Sequence, residues 1–387
     1  MNNNIKVNYY DRFKCIAKDC PLTCCQEWRI GVDDATLEKW QGVQLRTEHQ
    51  QVEKQQGQSL CAHVQTEEAG YRIILNEEKK CPFLNANQLC NVVTELGEEY
   101  LSETCTIFPR QVNVFSNRTE YSLDTGCPVV VDLLNESKQG MDFVEEGTSQ
   151  KEILYSVREM ILTCMQNDDY TLTERMMIIF YILLELLEQD EITDTQIKEV
   201  MSSSRIQPLV QAIRGMKFNA IDTFWENNEL FLDVVHNYRK QKLYVKYLED
   251  ISVMAESLEE TYTDCVLRDD IKQFESMLQG YEGLLKNYLM SEIFSNCLMP
   301  EMDLEDVVVG FQWISLAYVV LKQALFLNWL MNDKRKIEYS LLRDCICVIS
   351  RVTGYEQDDI REYLENSFED VIWEWGYLAL VIGNGKL

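Results

Sequence analysis

FKCIAKDCPLTCCQEW, residues 13–28, brings Cys15, Cys20, Cys24 and Cys25 close together. A second group follows in CPFLNANQLC (81–90) and ETCTIFPR (103–110), with Cys81, Cys90 and Cys105. Cys61 lies between the groups and Cys127 after them, so nine of the fourteen cysteines fall in the first 127 residues. The opening run, MNNNIKVNYYDRFKC, has neither the apolar stretch nor the small-residue cleavage site of a secretory signal, which leads us to expect a cytoplasmic chain. Thiols are kept reduced there, and clustered cysteines serve as metal ligands more often than as disulfide staples.

Around these cysteines the elements are short. Asp34 is placed to cap a helix over ATLEKW (35–40), with Trp40 on its inner face. YRIIL (71–75) and QVNVF (111–115) have strand composition, and SNRT (116–119) can turn the latter back onto YSLDTG (121–126). Pro128 suits the first turn of a helix running on to residue 136. Such elements bury little apolar surface, and a bound metal would supply what the small core lacks.

The polar stretch NESKQGMDFVEEGTSQ (135–150) separates two textures. It divides the chain into a cysteine-rich metal-cluster module, 1–138, and a helical domain, 150–387. The fold class expected is mainly α: a small irregular α+β module followed by an all-helical part. Thr171 and Glu174 form a capping-box pattern ahead of the apolar run 176–187. Further helices are expected at about 151–166, 194–203, 220–232, 236–262, 267–296, 304–331, 337–352, 357–366 and 369–380. MMIIFYILL (176–184) is taken as the longest apolar run, too short to cross a bilayer, so no membrane partner is expected.

Thirty-six Lys and Arg stand against sixty-four Asp and Glu, a formal charge of -28. Without a basic stripe, nucleic acid is not an expected partner. The acid excess suits solubility and would favour a cationic partner. His49, His63 and His236 are scattered and form no ligand pair. Cys164, Cys265, Cys297, Cys345 and Cys347 fall in helical stretches and read as small buried hydrophobes.

An all-thiolate set suits zinc or an iron–sulfur cluster. Zinc sites favour C-x2-C pairs, and none occurs here. The spacing C-x4-C-x3-C-C therefore leans towards iron–sulfur, with zinc as the alternative. On a helical turn Cys20 and Cys24 would share a face, while Cys25 would point about 100° away.

These cysteine segments resemble the CxxCxxCC family of zinc- or iron-chelating proteins and, more closely, the flagellin lysine-N-methylase family. Tyr10, Phe13, Cys15, Cys20, Cys24, Cys25 and Trp28 match the first block of the latter. Cys81, Pro82, Phe83, Leu84, Leu89 and Cys90 match the second, and Leu96 to Glu99, Leu101, Ser102, Thr104, Cys105 and Phe108 to Arg110 the third. Cys127 and Pro128 match the last, and LLKNYLMSEIF (284–294) resembles a helical segment further on. Cys61 matches no position.

The resemblance implies N-methylation of lysine side chains on flagellin, with S-adenosylmethionine as methyl donor. It also implies a cluster, most simply 4Fe-4S, held by a subset of Cys15, Cys20, Cys24, Cys25, Cys81, Cys90, Cys105 and Cys127. Asn287 and Tyr288 are the residues suggested for donor or lysine contact. No strand–GxGxxG–helix is present: the only Gly-x-Gly is Gly383–Gly385. The catalytic residues are therefore not named by sequence. The reading from another class is a non-enzymatic metal-binding interaction module, with iron–sulfur or zinc.

Overall fold

The computed structural model describes residues 3–45, 58–67, 70–137, 140–146, 152–354, 356–368 and 373–383. The first elements are β1 (Asn3–Val7), β2 (Gly31–Val32), α1 (Asp34–Trp40), β3 (Gln44–Leu45), β4 (Gln58–Ser59), β5 (Val64–Glu67) and β6 (Gly70–Ile73). They continue with α2 (Asn91–Leu96), α3 (Glu103–Ile107), β7 (Arg110–Val114), β8 (Arg118–Leu123), α4 (Pro128–Glu136) and β9 (Phe143–Glu146). Helices follow: α5 (Ile153–Gln166), α6 (Leu172–Leu187), α7 (Asp194–Val200), α8 (Ser203–Gly215), α9 (Ala220–Val235), α10 (Asn237–Gln241) and α11 (Val245–Thr261). The last are α12 (Asp264–Leu278), α13 (Glu282–Asn296), α14 (Leu304–Met331), α15 (Tyr339–Thr353), α16 (Gln357–Phe368) and α17 (Trp375–Ile382). The fold is mainly α, with a small α+β region first and helices after it.

By compactness the residues group into two units. One holds Lys14–Gln111 with Cys127–Val129; the other holds Met1–Phe13, Val112–Gly126 and Val130–Leu387. This grouping is discontinuous in sequence, whereas the polar stretch 135–150 suggests a single cut.

In the cysteine-rich unit, β2, β6 and β5 form an antiparallel sheet. Ile30, Val32, Trp40, Leu60, Ile73 and Phe83 pack into its core. The Trp40 indole donates to the Tyr100 carbonyl at 2.8 Å, and its ring meets Phe83 edge-on at 5.6 Å. The cap of α1 is Asp33, not Asp34 as expected. The extended backbone at Asp33 turns its carboxylate onto the Thr36 amide (2.8 Å) and hydroxyl (2.7 Å). The same carboxylate accepts the Glu103 amide at 2.9 Å, so it caps α3 as well.

In the larger unit, strands order as β7-β8-β1-β9, with β1 parallel to β8 and antiparallel to β9. Thr171 and Glu174 make the expected capping box at the start of α6. Arg175, almost wholly buried, donates to the carbonyls of Tyr170 and Met165, both at 2.8 Å, and so closes the end of α5. Down its whole length α14 is packed by neighbours. Its Gly310 lies where an added Cβ would come within 3.5 Å of the Cys297 backbone. Across the core Gln323 donates to Asn228 at 3.0 Å, and Asn228 to the Ala255 carbonyl at 3.1 Å, linking α14, α9 and α11.

The structure corrects several helical expectations. The stretch 236–262 breaks into α10 and α11, because Lys242 (φ 55) and Tyr244 (φ 57) are left-handed. The stretch 267–296 splits at a 3-10 turn, Gln279–Tyr281. Helix α8 was not anticipated; Pro208 sits inside it and removes one backbone donor. Residues 369–372 of the last expected helix lie outside the described residues, and α17 begins at Trp375. The expectation that no apolar stretch approaches the length needed to cross a bilayer does not hold. Helix α14, 28 residues with mean hydropathy 1.5 in its most apolar window, is long and apolar enough to cross a bilayer. That window is 83% buried within the protein, as a core helix is.

Candidate functional site

Three separate chain segments of the smaller unit carry Cys25, Cys81, Cys90 and Cys105 to one place. The Cys81 amide donates to the Cys25 carbonyl at 2.7 Å, next to a β-bridge between Gln26 and Lys80, so two segments far apart in sequence are stitched together. CPFLNANQLC then closes on itself. Leu84 bridges Cys90, the Leu84 amide reaches the Cys81 carbonyl (3.1 Å), and the Asn85 side chain accepts from the amides of Asn87 (2.9 Å) and Leu89 (3.1 Å). Cys90 precedes α2, and Cys105 lies in the first turn of α3, where the Ser102 hydroxyl accepts its amide at 3.3 Å.

The four sulfurs lie near enough for their charges to be felt. Burial raises the Cys81 thiol far above its ordinary value; the Phe83 amide opposes this, and charge on Cys25, Cys105 and Cys90 adds to it. Burial also raises Cys90, against hydrogen bonds from the Val93 and Val92 amides, with Cys25 pushing it further. Cys105 is pushed up to about 11 by burial, eased by Ser102 and raised by Cys25 and Cys90. The Cys105 residue itself presents surface to solvent, but enough protein surrounds its sulfur to desolvate it. Cys25, Cys81 and Cys90 also pack against the unit's apolar core. Amide donors on thiol sulfurs favour the thiolate form that a metal requires.

The remaining N-terminal cysteines have local settings of their own. Cys15 is exposed and accepts the Ala17 amide at 3.4 Å. Cys20 ends the 3-10 turn Ala17–Asp19, and the Cys24 carbonyl accepts the Trp28 indole. Cys127 is buried just before α4. Cys61 packs partly buried against the core. His63 meets Phe83 edge-on at 5.6 Å, and His236 ends α9; His49 lies outside the described residues. Of the five later cysteines, Cys164, Cys297 and Cys347 are buried and Cys345 is half-buried. Cys265 is exposed, against expectation, because α12 buries Leu267, Phe274 and Leu278 on another stripe.

In the larger unit Asn287 and Tyr288 are both buried on α13. The Asn287 amide nitrogen donates to the carbonyls of Leu134 (2.9 Å) and Ser137 (3.1 Å), and its oxygen accepts the Met141 amide at 3.2 Å. It binds the end of α4 to the chain leading into β9. Tyr288 faces a polar cluster that sequence did not point out. There Glu292 accepts from Thr125 and, at 2.9 Å, from Asn296, and Thr125 also meets the Ser350 hydroxyl at 2.8 Å. Burial raises Glu292 to about 7, Thr125 lowers it, and charge on Asp124 raises it again.

A second feature missed in sequence is a buried charge triad. Glu120, 2% exposed, forms ion pairs with Arg118 and Arg158. Arg158 also donates to the carbonyls of Phe294 (3.0 Å) and Leu298 (3.4 Å). The triad borders a recess of about 460 Å³ between the sheet and helices α5 and α13. No sequence signal marks it, since its walls come from five separate elements.

Residues 158–381 match the family model described as the FliB lysine N-methylase C-terminal domain, more than half of the chain. The chain belongs to this family. The matched span contains Arg158, Asn287, Tyr288 and Glu292, and begins after the last N-terminal cysteine. Among curated relatives, a lysine-N-methylase of Salmonella typhimurium is 27% identical over 146 residues, 37% of this chain and 35% of the relative. One from Salmonella choleraesuis is 26% identical over the same length. The flagellar biosynthetic protein FliU of Salmonella muenchen is 28% identical over 132 residues, 33% of this chain and 75% of the relative. The chain spans about a third of the length of the two lysine-N-methylases, 35% in each case. No solved structure matches.

Proposed function

We propose that this chain is a protein-lysine N-methyltransferase acting on flagellin in the cytoplasm, with S-adenosylmethionine as the methyl donor. The family match over residues 158–381 carries the reading. The names of the relatives, lysine-N-methylase and flagellar biosynthetic protein, support the acceptor residue and a flagellar substrate. A lysine amine with an ordinary pKa near ~10.4 has to lose its proton before it attacks the methyl group. Donor and amine must also meet in line at about 3 Å. The chain's formal charge of -28 favours the cationic partners this reaction needs, a lysine side chain and a sulfonium.

Within the same proposal, Cys25, Cys81, Cys90 and Cys105 hold the metal group. The donor set is all sulfur, its members gather from three segments, and amide N–H groups reach the sulfurs of Cys81 and Cys90. That set fits a 4Fe-4S cluster, with zinc as the alternative. When bound, the group would supply folding free energy to a unit with a small core and hold the thiols as thiolates. Ser102 orients the turn that carries Cys105, and Asp33 ties that turn to α1.

Co-expression with flagellin tests the activity. Intact mass should show methyl increments that vanish when this chain is omitted; their absence in its presence would end the reading. A second reading has one observation in its favour: the thiol set lies outside the matched span. As a non-enzymatic metal-binding interaction module, the chain would leave flagellin unmethylated and would not bind S-adenosylmethionine in calorimetry.

A further inference from the structure

Between α9, α12, α14 and the end of α17 lies a small cavity of about 60 Å³. Its walls are largely carbon, with Phe224, Phe274, Phe326 and Val319 among them. Lys322 and Glu275 pair at 2.8 Å on its rim, and each still reaches solvent, so they mark its mouth. The walls from α9, α12 and α14 all fall within the matched span 158–381.

Two polar atoms on the α9 wall are left without partners. The Thr223 hydroxyl and the Asn227 amide oxygen are buried and make no hydrogen bond among the described residues. Thr223 is 6% exposed, and Asn227 follows it one helical turn later on the same face of α9. Burying such atoms unanswered is costly, and a donor that reached both would recover that loss.

Size and chemistry narrow the occupant. An engineered cavity of about 150 Å³ holds one benzene ring, so less than half of that volume admits the tip of a side chain but no purine. The Asn227 oxygen can only accept, which asks for an N–H or O–H and turns away a carboxylate or phosphate oxygen. A guanidinium would carry a permanent charge in beside Lys322. A primary amine can leave its proton in solvent, donate to both oxygens and keep its lone pair.

We infer that this cavity takes the acceptor lysine of the methylation substrate, its methylenes along the phenylalanine walls and its Nζ, uncharged, donating to Asn227 and Thr223. The inference rests on the methyltransferase reading for the identity of that lysine. Glu275 is already answered by Lys322, and these are the charged side chains among the described residues that line the cavity. The walls therefore offer an ammonium no spare anion. Burial then favours the free amine, the form that attacks a methyl group.

The test on the intact protein uses n-butylamine, which copies the lysine tip, beside methyl transfer to flagellin. Binding is followed by ligand-observed NMR at pH 9, where about 4% of an ordinary alkylamine is uncharged. n-Butylamine should bind the wild type and compete with flagellin, not with S-adenosylmethionine. Thr223→Val and Asn227→Leu should each weaken n-butylamine and raise KM for flagellin about fivefold, the weight of one neutral hydrogen bond. Their dissociation constants for S-adenosylmethionine should stay as in the wild type. Both should melt no earlier than the wild type, because each loses a buried polar atom that had no partner. Earlier melting of Thr223→Val would assign its hydroxyl to the fold and overturn the inference. Methylation untouched by either variant would also overturn it, leaving the cavity to water and the methyltransferase reading intact. A wild type that binds no n-butylamine overturns it whatever the methylation result. Binding of n-butylamine that both variants weaken, with flagellin left unmethylated, would keep the amine site and end the methyltransferase reading.

Discussion

Replacing Asn287 by Ala separates a side chain that holds the fold from one that contacts a ligand. The amide of Asn287 satisfies the carbonyls of Leu134 and Ser137 and the N–H of Met141, all within the larger unit. Alanine would remove all three hydrogen bonds in a site that is 3% exposed at Asn287; the Leu134 and Ser137 carbonyls keep the amides of Ser137 and Gly140, and the Met141 N–H loses the Asn287 oxygen. Each hydrogen bond lost is worth about 1 kcal/mol net, so the variant should lose about 3 kcal/mol. That is roughly a hundredfold in the folding equilibrium. With a urea dependence of about 3 kcal/mol per molar, the midpoint should fall by about 1 M. The assay is urea unfolding followed by far-UV circular dichroism, with methyl transfer measured on protein that remains folded. Asn287→Asp, which keeps the acceptor and loses both donors, should also be destabilised. An unchanged midpoint with methyl transfer abolished would refute the reasoning and return Asn287 to the binding site.

Single Cys→Ser changes at positions 25, 81, 90 and 105 should each lower bound metal and stability, while Cys61→Ser keeps its metal; metal analysis after anaerobic purification reads both. Asp33→Ala should cost about 1–2 kcal/mol, because one carboxylate caps both α1 and α3. Burial alone would raise Asp33, but the Glu103 amide and the Thr36 hydroxyl and amide pull it down to about 2. The stabilisation from its charge is therefore complete above about 3.8 and lost as pH falls through about 2, so Asp33→Asn should flatten acid unfolding over that window. Glu292 has the opposite sign. Held up to about 7 by burial, it favours the fold fully below about 4.5 and loses that contribution as pH rises through about 7. Stability of Glu292→Gln measured from pH 4 to 8 should accordingly decline less than that of the wild type.

What the sequence discloses here is what depends on neighbours along the chain. Thr171 and Glu174 announce the start of α6 because a capping box is complete within four residues. The capping aspartates and the predominantly apolar stretch behind them make α14 plain from end to end. The break at Lys242 and Tyr244 is silent, since neither is a glycine and yet both adopt left-handed backbone. Helix α8 hides behind Pro208. The cysteines are conspicuous, but their grouping is not. Cys25 joins Cys81 through a backbone bond across 56 positions, whereas Cys24, its neighbour, carries the Trp28 indole on its carbonyl. Arg118, Glu120 and Arg158 are ordinary letters in the sequence. They acquire meaning only when β8 and α5 bring them together beneath the recess.

Methyl transfer in a purified system tests the central claim most directly. The chain, prepared anaerobically, is incubated with flagellin and S-adenosylmethionine carrying an isotopically labelled methyl group, and flagellin peptides are mapped by mass spectrometry. The account predicts labelled methyl groups on lysine Nζ atoms, in amounts that rise with the chain's concentration. Flagellin that stays unlabelled, or carries its label on residues other than lysine, would contradict it.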